Sequence, residues 1–434
     1  MPAVPWLARA AAAHPDRPAV VTAEGAPTCA DLARTAAAGA GALVARGVGK
    51  GDRVALALPP GRAFAEALHA CLWLGAVVVP VDLRLAPAER ERWSDGAAVV
   101  VSEALELAGR GPAPAPAGPD HPVVRTHTSG TSRGARPVTL TRSNWEASAR
   151  GTAAALGVHP RERWLCVLPA THVGGLSILI RSAIHATTAV VHAGFDAAAV
   201  RRSLQEDGIT LVSLVPTMLA RLLDAGLQSP PALRCALVGG GPVPPALLNR
   251  AREAGIPVAQ TYGLTEACSQ VTVSAIGDPS TAGMPLPGTD VRIAADGEIL
   301  VAGPTIAPGA AGDDGFLHTG DLGSLDGAGR LTITGRKSEI IVTGGENVAP
   351  AEVESVLAQH PAVADSAVFA RPDAEWGERV SAAVVLRPGL SASPEELRAH
   401  CAGRLAGFQV PKDFDLVPEL PRTPTGKVLR RALT

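Results

Sequence analysis

A chain of 434 residues exceeds what one hydrophobic core organises, and 47 % apolar against 18 % charged residues marks a globular protein of two or more domains. A formal charge of −2 leaves no electrostatic case for nucleic-acid or membrane-surface binding. The six cysteines (Cys29, Cys71, Cys166, Cys235, Cys268 and Cys401) form neither a CxxC pair nor a metal-type cluster, the pattern of reduced core residues in a cytoplasmic protein.

The start, MPAVPWLARAAAAHPDRP, lacks the basic region and apolar run of a secretory signal. Ala-rich helical segments then alternate with short β-branched runs. A helix is expected over 29–46, a strand at VALAL (54–58), a helix over 62–75 and a strand at AVVVPV (76–81). GPAPAPAG (111–118) reads as a Pro/Ala surface linker.

Next comes THTSGTSRGARPVT, a loop of hydroxyls and glycines between an apolar Val-Val and a helix expected to begin near SNWEAS. Backbone amides and short hydroxyls at Thr128, Ser129, Gly130, Thr131 and Ser132 suit phosphate oxygens, although an ordinary Ser/Thr/Gly loop has the same composition. It lacks the Gly-Lys-Ser/Thr ending of a P-loop.

WLCVLPATHVGGLSILI (164–180) carries a proline, a histidine and a glycine pair, and reads as strand, loop and helix rather than a membrane span. The strand–helix rhythm continues through TAVVHA, a helix at 197–206, TLVSLV, TMLARLLDAG, ALVGGG and PPALLNRAREAG, which indicates βαβ units and mostly parallel, covered sheet. In LVGGGPVPPALL, Gly239, Gly240 and Gly241 admit a flat ligand against the backbone, or serve only a tight strand-to-helix turn.

QTYGLTEACSQ holds the chain's single tyrosine, Tyr262, beside Thr261, Gly263, Thr265 and Glu266. Stacking on a base, donation to a phosphate and oxygen ligation of Mg²⁺ are open to these side chains. From about residue 283 turns such as ADGE and LDGAGR predict β-hairpins and a small antiparallel unit. HTGDLG places Asp321 in a turn, where it can accept from a ribose diol, with Arg336 in GRKSE nearby. Helices at 350–360 and 393–405 with strands at SAVFA and SAAVVLRPG form a compact α+β module. Of 39 basic residues only four are lysines, Lys50, Lys337, Lys412 and Lys427, so Lys427 in PRTPTGKVLRR stands out as a chosen point charge.

In this order and spacing the motifs resemble the adenylate-forming superfamily of acyl-CoA synthetases, adenylation domains and luciferases, over nearly the whole chain. LPATHVGGLSILIRSAIH, LVGGGPVPPALL and TYGLTEACSQVT look most like its o-succinylbenzoate–CoA ligases. The resemblance implies an α/β fold: a large N-terminal domain (1–336) of parallel βαβ sheets plus a small β-subdomain, and a small mobile α+β C-terminal domain (337–434). It implies ATP, Mg²⁺ and CoA as cofactor and co-substrates, an aryl acid activated as acyl-AMP, and a place in menaquinone biosynthesis. Transfer to a carrier protein or an amine, and a catalytically impaired nucleotide-binding relative, are the alternatives, and a homodimer is left open.

By the same resemblance Thr128 to Ser132 would surround the β- and γ-phosphates. Gly239 to Gly241 and Tyr262 would sandwich adenine, Asp321 and Arg336 would hold the ribose, Thr265 the α-phosphate and Glu266 Mg²⁺, with Thr261 and Gly263 also in the ATP site. Lys427 would be the catalytic cation, delivered by rotation about Ser338. The acid would meet His172, Gly174, Ser177, Gly263 and Ser269. Arg181 would take a second carboxylate or lie idle on a helix surface. Gly344, Gly345 and Trp376 would serve CoA. The family's Thr-Gly-x-Pro-Lys-Gly continuation of the phosphate loop reads here Ser132, Arg133, Gly134, Ala135, Arg136, Pro137.

Overall fold

The computed structural model describes residues 3–107, 109, 111–128, 136–422 and 428–433. Among these, four sheets organise the chain. One runs Val99–Val101, Arg53–Leu56, Val77–Pro80, Pro122–His127 and Pro137–Thr141, parallel except for the last strand. A second, of eight strands, has Arg163–Cys166, Thr188–Val191, Leu211–Leu214, Cys235–Val238 and Val258–Leu264 in parallel, and turns antiparallel at Ser269–Val273.

Strand alternation sorts the second sheet's side chains between two cores, as a pleat with period two requires. Trp164 and Cys166 enter a core shared with the first sheet and with helices Cys29–Ala45, Arg62–Leu74 and Val173–His185. Leu165, Val212, Leu214, Ala236 and Val238 enter the opposite core, beneath helices Ala197–Glu206, Pro216–Asp224 and Pro245–Glu253. Every strand of the parallel run is thus covered on both faces. Capping boxes start Cys29–Ala45 at Thr28 and Arg142–Leu156 at Thr141, each satisfying two otherwise orphaned donors.

The antiparallel unit is present as Asp290–Ile293, Glu298–Ala302, Leu317–Leu325 and Leu331–Arg336. Its apolar side chains pack with Tyr262, Ala267 and Val271. The α+β module is built on Val363–Asp373 and Gly377–Leu386, flanked by the hairpin Ile341–Thr343/Glu346–Val348 and by the parallel strand Asp413–Leu416, with helices Pro350–Leu357 and Pro394–Ala402 over its own core. All six cysteines are buried and unbridged. Among the described residues no helix is long and apolar enough to cross a membrane.

Three local expectations change. Residues 129–135 join two antiparallel strands, with His127 paired to Pro137, so the hydroxyl-rich segment connects a hairpin rather than a strand to a helix. The helix itself begins at Arg142, one residue before SNWEAS, as expected. GPAPAPAG is no loose linker: Trp73 Nε1 donates to the Pro112 carbonyl, Lys50 Nζ to that of Pro116, and Ala117 pairs with Ala3. Asp321 lies within the strand Leu317–Leu325, not in a turn.

Candidate active site

Ligands of open parallel sheets gather at the carboxyl ends of the strands, and several of the predicted residues stand there. Tyr262 and Gly263 end Val258–Leu264, Gly239 to Gly241 follow Cys235–Val238, and His172 follows Arg163–Cys166 by one loop.

The best-defined cluster centres on Tyr262. Its ring is packed in the antiparallel unit's core, and its hydroxyl donates to Asp321 Oδ2 at 2.8 Å. Arg336 Nε stands 2.6 Å from Asp321 Oδ1, directly across the two strands, where Asp321 and Arg336 are register partners. Burial and the facing Asp321 carboxylate push the Tyr262 hydroxyl's pKa far up, so it stays a donor. Asp321 is itself buried, with one oxygen claimed by a cation and the other by a hydroxyl.

The glycine run beside it is shaped by contact. A Cβ on Gly239 would lie 2.7 Å from the Thr261 carbonyl oxygen, and Gly240 holds φ +80°. Gly241 faces open space. Thr261 spends its hydroxyl on the Thr272 carbonyl at 2.8 Å. Gly263 opposes the next strand so closely that a Cβ would sit 1.7 Å from the Ser269 carbonyl oxygen.

Between them the chain turns through the 3-10 segment Thr265–Ala267 and through Cys268 and Ser269, both at positive φ (52° and 91°). Glu266 is half-buried on this turn, anchored by Ala307 N donating to its main-chain oxygen. Among the described residues no group of three or more metal-ligating side chains exists. A lone carboxylate still suits Mg²⁺, which keeps its waters and is otherwise held by substrate phosphates.

Arg181 is neither on a helix surface nor beside His172. Only 2 % exposed, it lies behind the 268–269 turn: Nη2 donates to Ser148 Oγ at 2.7 Å, and Ser148 donates to the Cys268 carbonyl at 2.8 Å. Its guanidinium stands over the Trp164 ring, and its Nε is buried without a partner. Burial lowers its pKa to about 10. Ser177 is likewise buried and donates to the Gly174 carbonyl, within its own helix.

On the loop before helix Val173–His185, His172 Nε2 faces Asp82 Oδ2 at 3.4 Å. Asp82 was not singled out from the sequence. It is 4 % exposed and grasped by Arg84 through Nε at 2.8 Å and Nη2 at 2.6 Å. Burial would raise its pKa, but the hydrogen bonds from Arg84, with His172 close by, hold it well below the usual carboxylate range. A carboxylate immediately after the buried run AVVVPV was the available signal. The hydroxyl segment's neck joins the same region: Thr126 Oγ1 reaches the Thr171 carbonyl, and Thr128 and Arg136 exchange backbone and side-chain bonds. His127 stacks on Trp93 with ring centroids 4.3 Å apart. Ser129, Gly130, Thr131, Ser132 and Lys427 lie outside the described residues, as do Arg133 and Ala135.

In the C-terminal module Gly344 and Gly345 (φ +58° and +84°) turn the hairpin Ile341–Thr343/Glu346–Val348. Consecutive left-handed residues match the twist a two-residue hairpin requires. Gly344 abuts Trp376, whose ring a Cβ would meet at 2.5 Å, and Trp376 remains 46 % exposed. The structure therefore joins these predicted residues. Ser338 is the middle of the 3-10 turn Lys337–Glu339.

The AMP-binding enzyme family model matches residues 7–101 and 89–310, and the AMP-binding enzyme C-terminal domain model matches 352–427. The 2-succinylbenzoate–CoA ligase of Bacillus subtilis (strain 168) is 36 % identical over 472 residues, covering 99 % of this chain and 97 % of that protein. Among solved structures, o-succinylbenzoate CoA synthetase from Bacillus subtilis with its acyl-adenylate intermediate superposes with a TM-score of 0.91 at 34 % identity, over 100 % of this chain and 98 % of that one. The same enzyme with ATP and a magnesium ion gives 0.90 at 34 %, over 100 % of both chains.

Proposed function

The chain belongs to the AMP-binding enzyme family and has the adenylate-forming fold, and from that premise we propose that it is an ATP-dependent acid–CoA ligase working through an acyl-adenylate, with an o-succinylbenzoate-like aryl acid as substrate. One observation carries the nucleotide half: the Tyr262–Asp321–Arg336 cluster beside the glycine shelf. A flat base fits against backbone at Gly239 to Gly241, and Asp321, oriented from two sides, fits a ribose diol.

In the first half-reaction an acid carboxylate attacks the α-phosphorus of ATP. A new oxygen–phosphorus bond forms, the bond to the bridging oxygen breaks, and pyrophosphate leaves with its electron pair. The nucleophile is already ionised at neutral pH, so no general base is required. The difficulty is the meeting of two anions. Lys427 offers a compact positive charge for the α-phosphate, with Thr265 beside it, and charge placed where negative charge develops is worth several kcal/mol. Glu266 would hold Mg²⁺, which neutralises the polyphosphate when bound. In the second half-reaction the CoA sulfur attacks the acyl carbon, a carbon–sulfur bond forms, the acyl carbon–oxygen bond breaks so that AMP leaves with that electron pair, and the thiol proton passes to solvent.

A lysine on the C-terminal side of Ser338 and a pantetheine path near Gly344 and Trp376 serve different steps. We assign residues 1–336 to a body binding ATP and acid, and 337–434 to a lobe that rotates about Ser338 between steps. His172, steered by Asp82, and Gly263 with Ser269 border the acid. Arg181 acts on that border through Ser148 and Cys268.

The test is pyrophosphate exchange and AMP release with the whole chain against a panel of aryl and short-chain acids, with and without CoA. Acid-dependent exchange, with AMP release requiring CoA, is expected for o-succinylbenzoate. No exchange with any acid overturns the reading, and adenylate that accumulates in the presence of CoA overturns the acceptor.

A further inference from the structure

Three positions after Lys427 in the chain, Arg430 opens the 3-10 turn Arg430–Ala432. Its guanidinium donates through Nη1 to Glu339 Oε2 at 2.6 Å, through Nη2 to both oxygens of Glu354 at 2.8 and 3.1 Å, and through Nε to the Val368 carbonyl at 3.0 Å. Glu354 also accepts from Val368 N at 2.7 Å. The side chains of Arg430, Glu339 and Glu354 are all about four-fifths buried (20 %, 22 % and 17 % exposed). A planar fork satisfied on every side in low-dielectric surroundings fixes orientation as well as position.

The partners matter because of where they stand. Glu339 is the residue directly after Ser338. On the other side of Ser338, Lys337 Nζ pairs with Asp296 at 2.6 Å and Glu298 at 2.9 Å, carboxylates in the turn after Asp290–Ile293 and at the start of Glu298–Ala302 in the antiparallel sheet. The two neighbours of Ser338 are therefore tied in opposite directions, one to the body and one to the C-terminal lobe. The chain on both sides of Lys427 is tied to the lobe as well. Arg422 and Val428 pair as an antiparallel bridge, Arg422 is ion-paired with Asp365, and Val428 and Leu433 pack against Ala367, Phe369, Ala383 and Leu420.

We propose that Arg430 is a positioning residue for adenylation: by bracing the end of the chain on Glu339 and Glu354, it sets the reach of the Lys427 ammonium from the hinge. This rests on the role given to Lys427 above. The rationale is geometric. Lysine's four-carbon stem adds freedom of its own, so a backbone that also drifts misplaces the charge, and a displacement of about 1 Å can cost on the order of 10²-fold in rate. Lys427 serves only the first half-reaction, so loosening its support should spare the second.

The experiment uses the full chain with Arg430→Met and, because removing a buried cation threatens folding, Arg430→Lys. Lysine keeps the charge but lacks the planar fork that engages all three acceptors. Acid-dependent pyrophosphate exchange is compared with transfer from supplied o-succinylbenzoyl-AMP to CoA. Exchange is expected to fall about 10- to 100-fold in Arg430→Met and less in Arg430→Lys, with transfer within about twofold of the unaltered chain. Equal loss in both assays makes Arg430 merely structural and overturns the proposal, as does exchange within twofold in both variants. If Arg430→Met fails to fold, the split in Arg430→Lys alone decides. An unaltered chain that exchanges with no acid defeats the reading of Lys427, which is a different failure.

Discussion

Tyr262 and Asp321, 59 positions apart, are joined by a 2.8 Å hydrogen bond that fastens the end of the parallel sheet to the antiparallel unit. Tyr262→Phe leaves the buried ring in place and removes one partner of a charged acceptor. Unfolding free energy should drop by about 1.5–3 kcal/mol in a urea titration. The KM for ATP should rise more than kcat falls, because Asp321 loses half of what orients it. An unchanged KM would detach Asp321 from ribose binding.

Neighbouring glycines should behave differently. Gly239→Ala drives a methyl group to 2.7 Å from the Thr261 main chain, and overpacking of that kind costs about 1–3 kcal/mol. At Gly241 a methyl group meets nothing within 4 Å. Gly241→Ala should melt like the unaltered chain, and any effect belongs to the nucleotide. Thermal melts with and without ATP check both.

Acid should destabilise the protein before its carboxylates titrate. Burial lowers the pKa of His69 to about 4, and burial with the Arg125 charge does the same to His127. An unfolded histidine titrates near 6.5, so between about 6.5 and 4 the unfolded chain binds protons that the folded one refuses, and stability falls as pH falls. For the fully buried His69 the full shift corresponds to roughly 3 kcal/mol, and His69→Phe should flatten the slope of Tm against pH in that window.

Arg181→Met tests a buried cation that pairs with no carboxylate among the described residues. An apolar side chain of similar length removes a desolvated charge, so stability should hold or improve in a urea titration. The KM for the acid should rise, since Ser148 and the turn at Cys268 lose their brace. A large loss of stability would mean that the stack on Trp164 and the Ser148 bond outweigh desolvation.

Much of this was written in local pattern. The helix expected at 197–206 is Ala197–Glu206, and the helices and strands around it fall within a few residues of their apolar periodicities, because covered strands and amphipathic helices announce themselves over a single turn or pleat. What stayed hidden depends on partners far away. Asp321 looked like a turn residue because HTGDLG has turn composition; strand pairing with Arg336 overrode it. The hydroxyl segment showed no sign of a returning strand, since PVTLT runs straight into the next helix with no turn between them. Asp82 gave only a charge after a buried run, and its meaning appears when a loop 90 positions on brings His172 to it. Arg181 has the spacing of a surface residue, yet Trp164 and Ser148 fold over it.

The hairpin at the hydroxyl-rich segment has an energetic corollary. Phosphate sites at helix starts rely on a permanent positive end. Here the next helix begins a full strand away, five residues or about 16 Å from the neck at Pro137. On the proposed reading, polyphosphate at this segment would be countered by side chains and by Mg²⁺ rather than by a helix end. On that reading the affinity for pyrophosphate would depend strongly on magnesium and on ionic strength, and that for AMP much less.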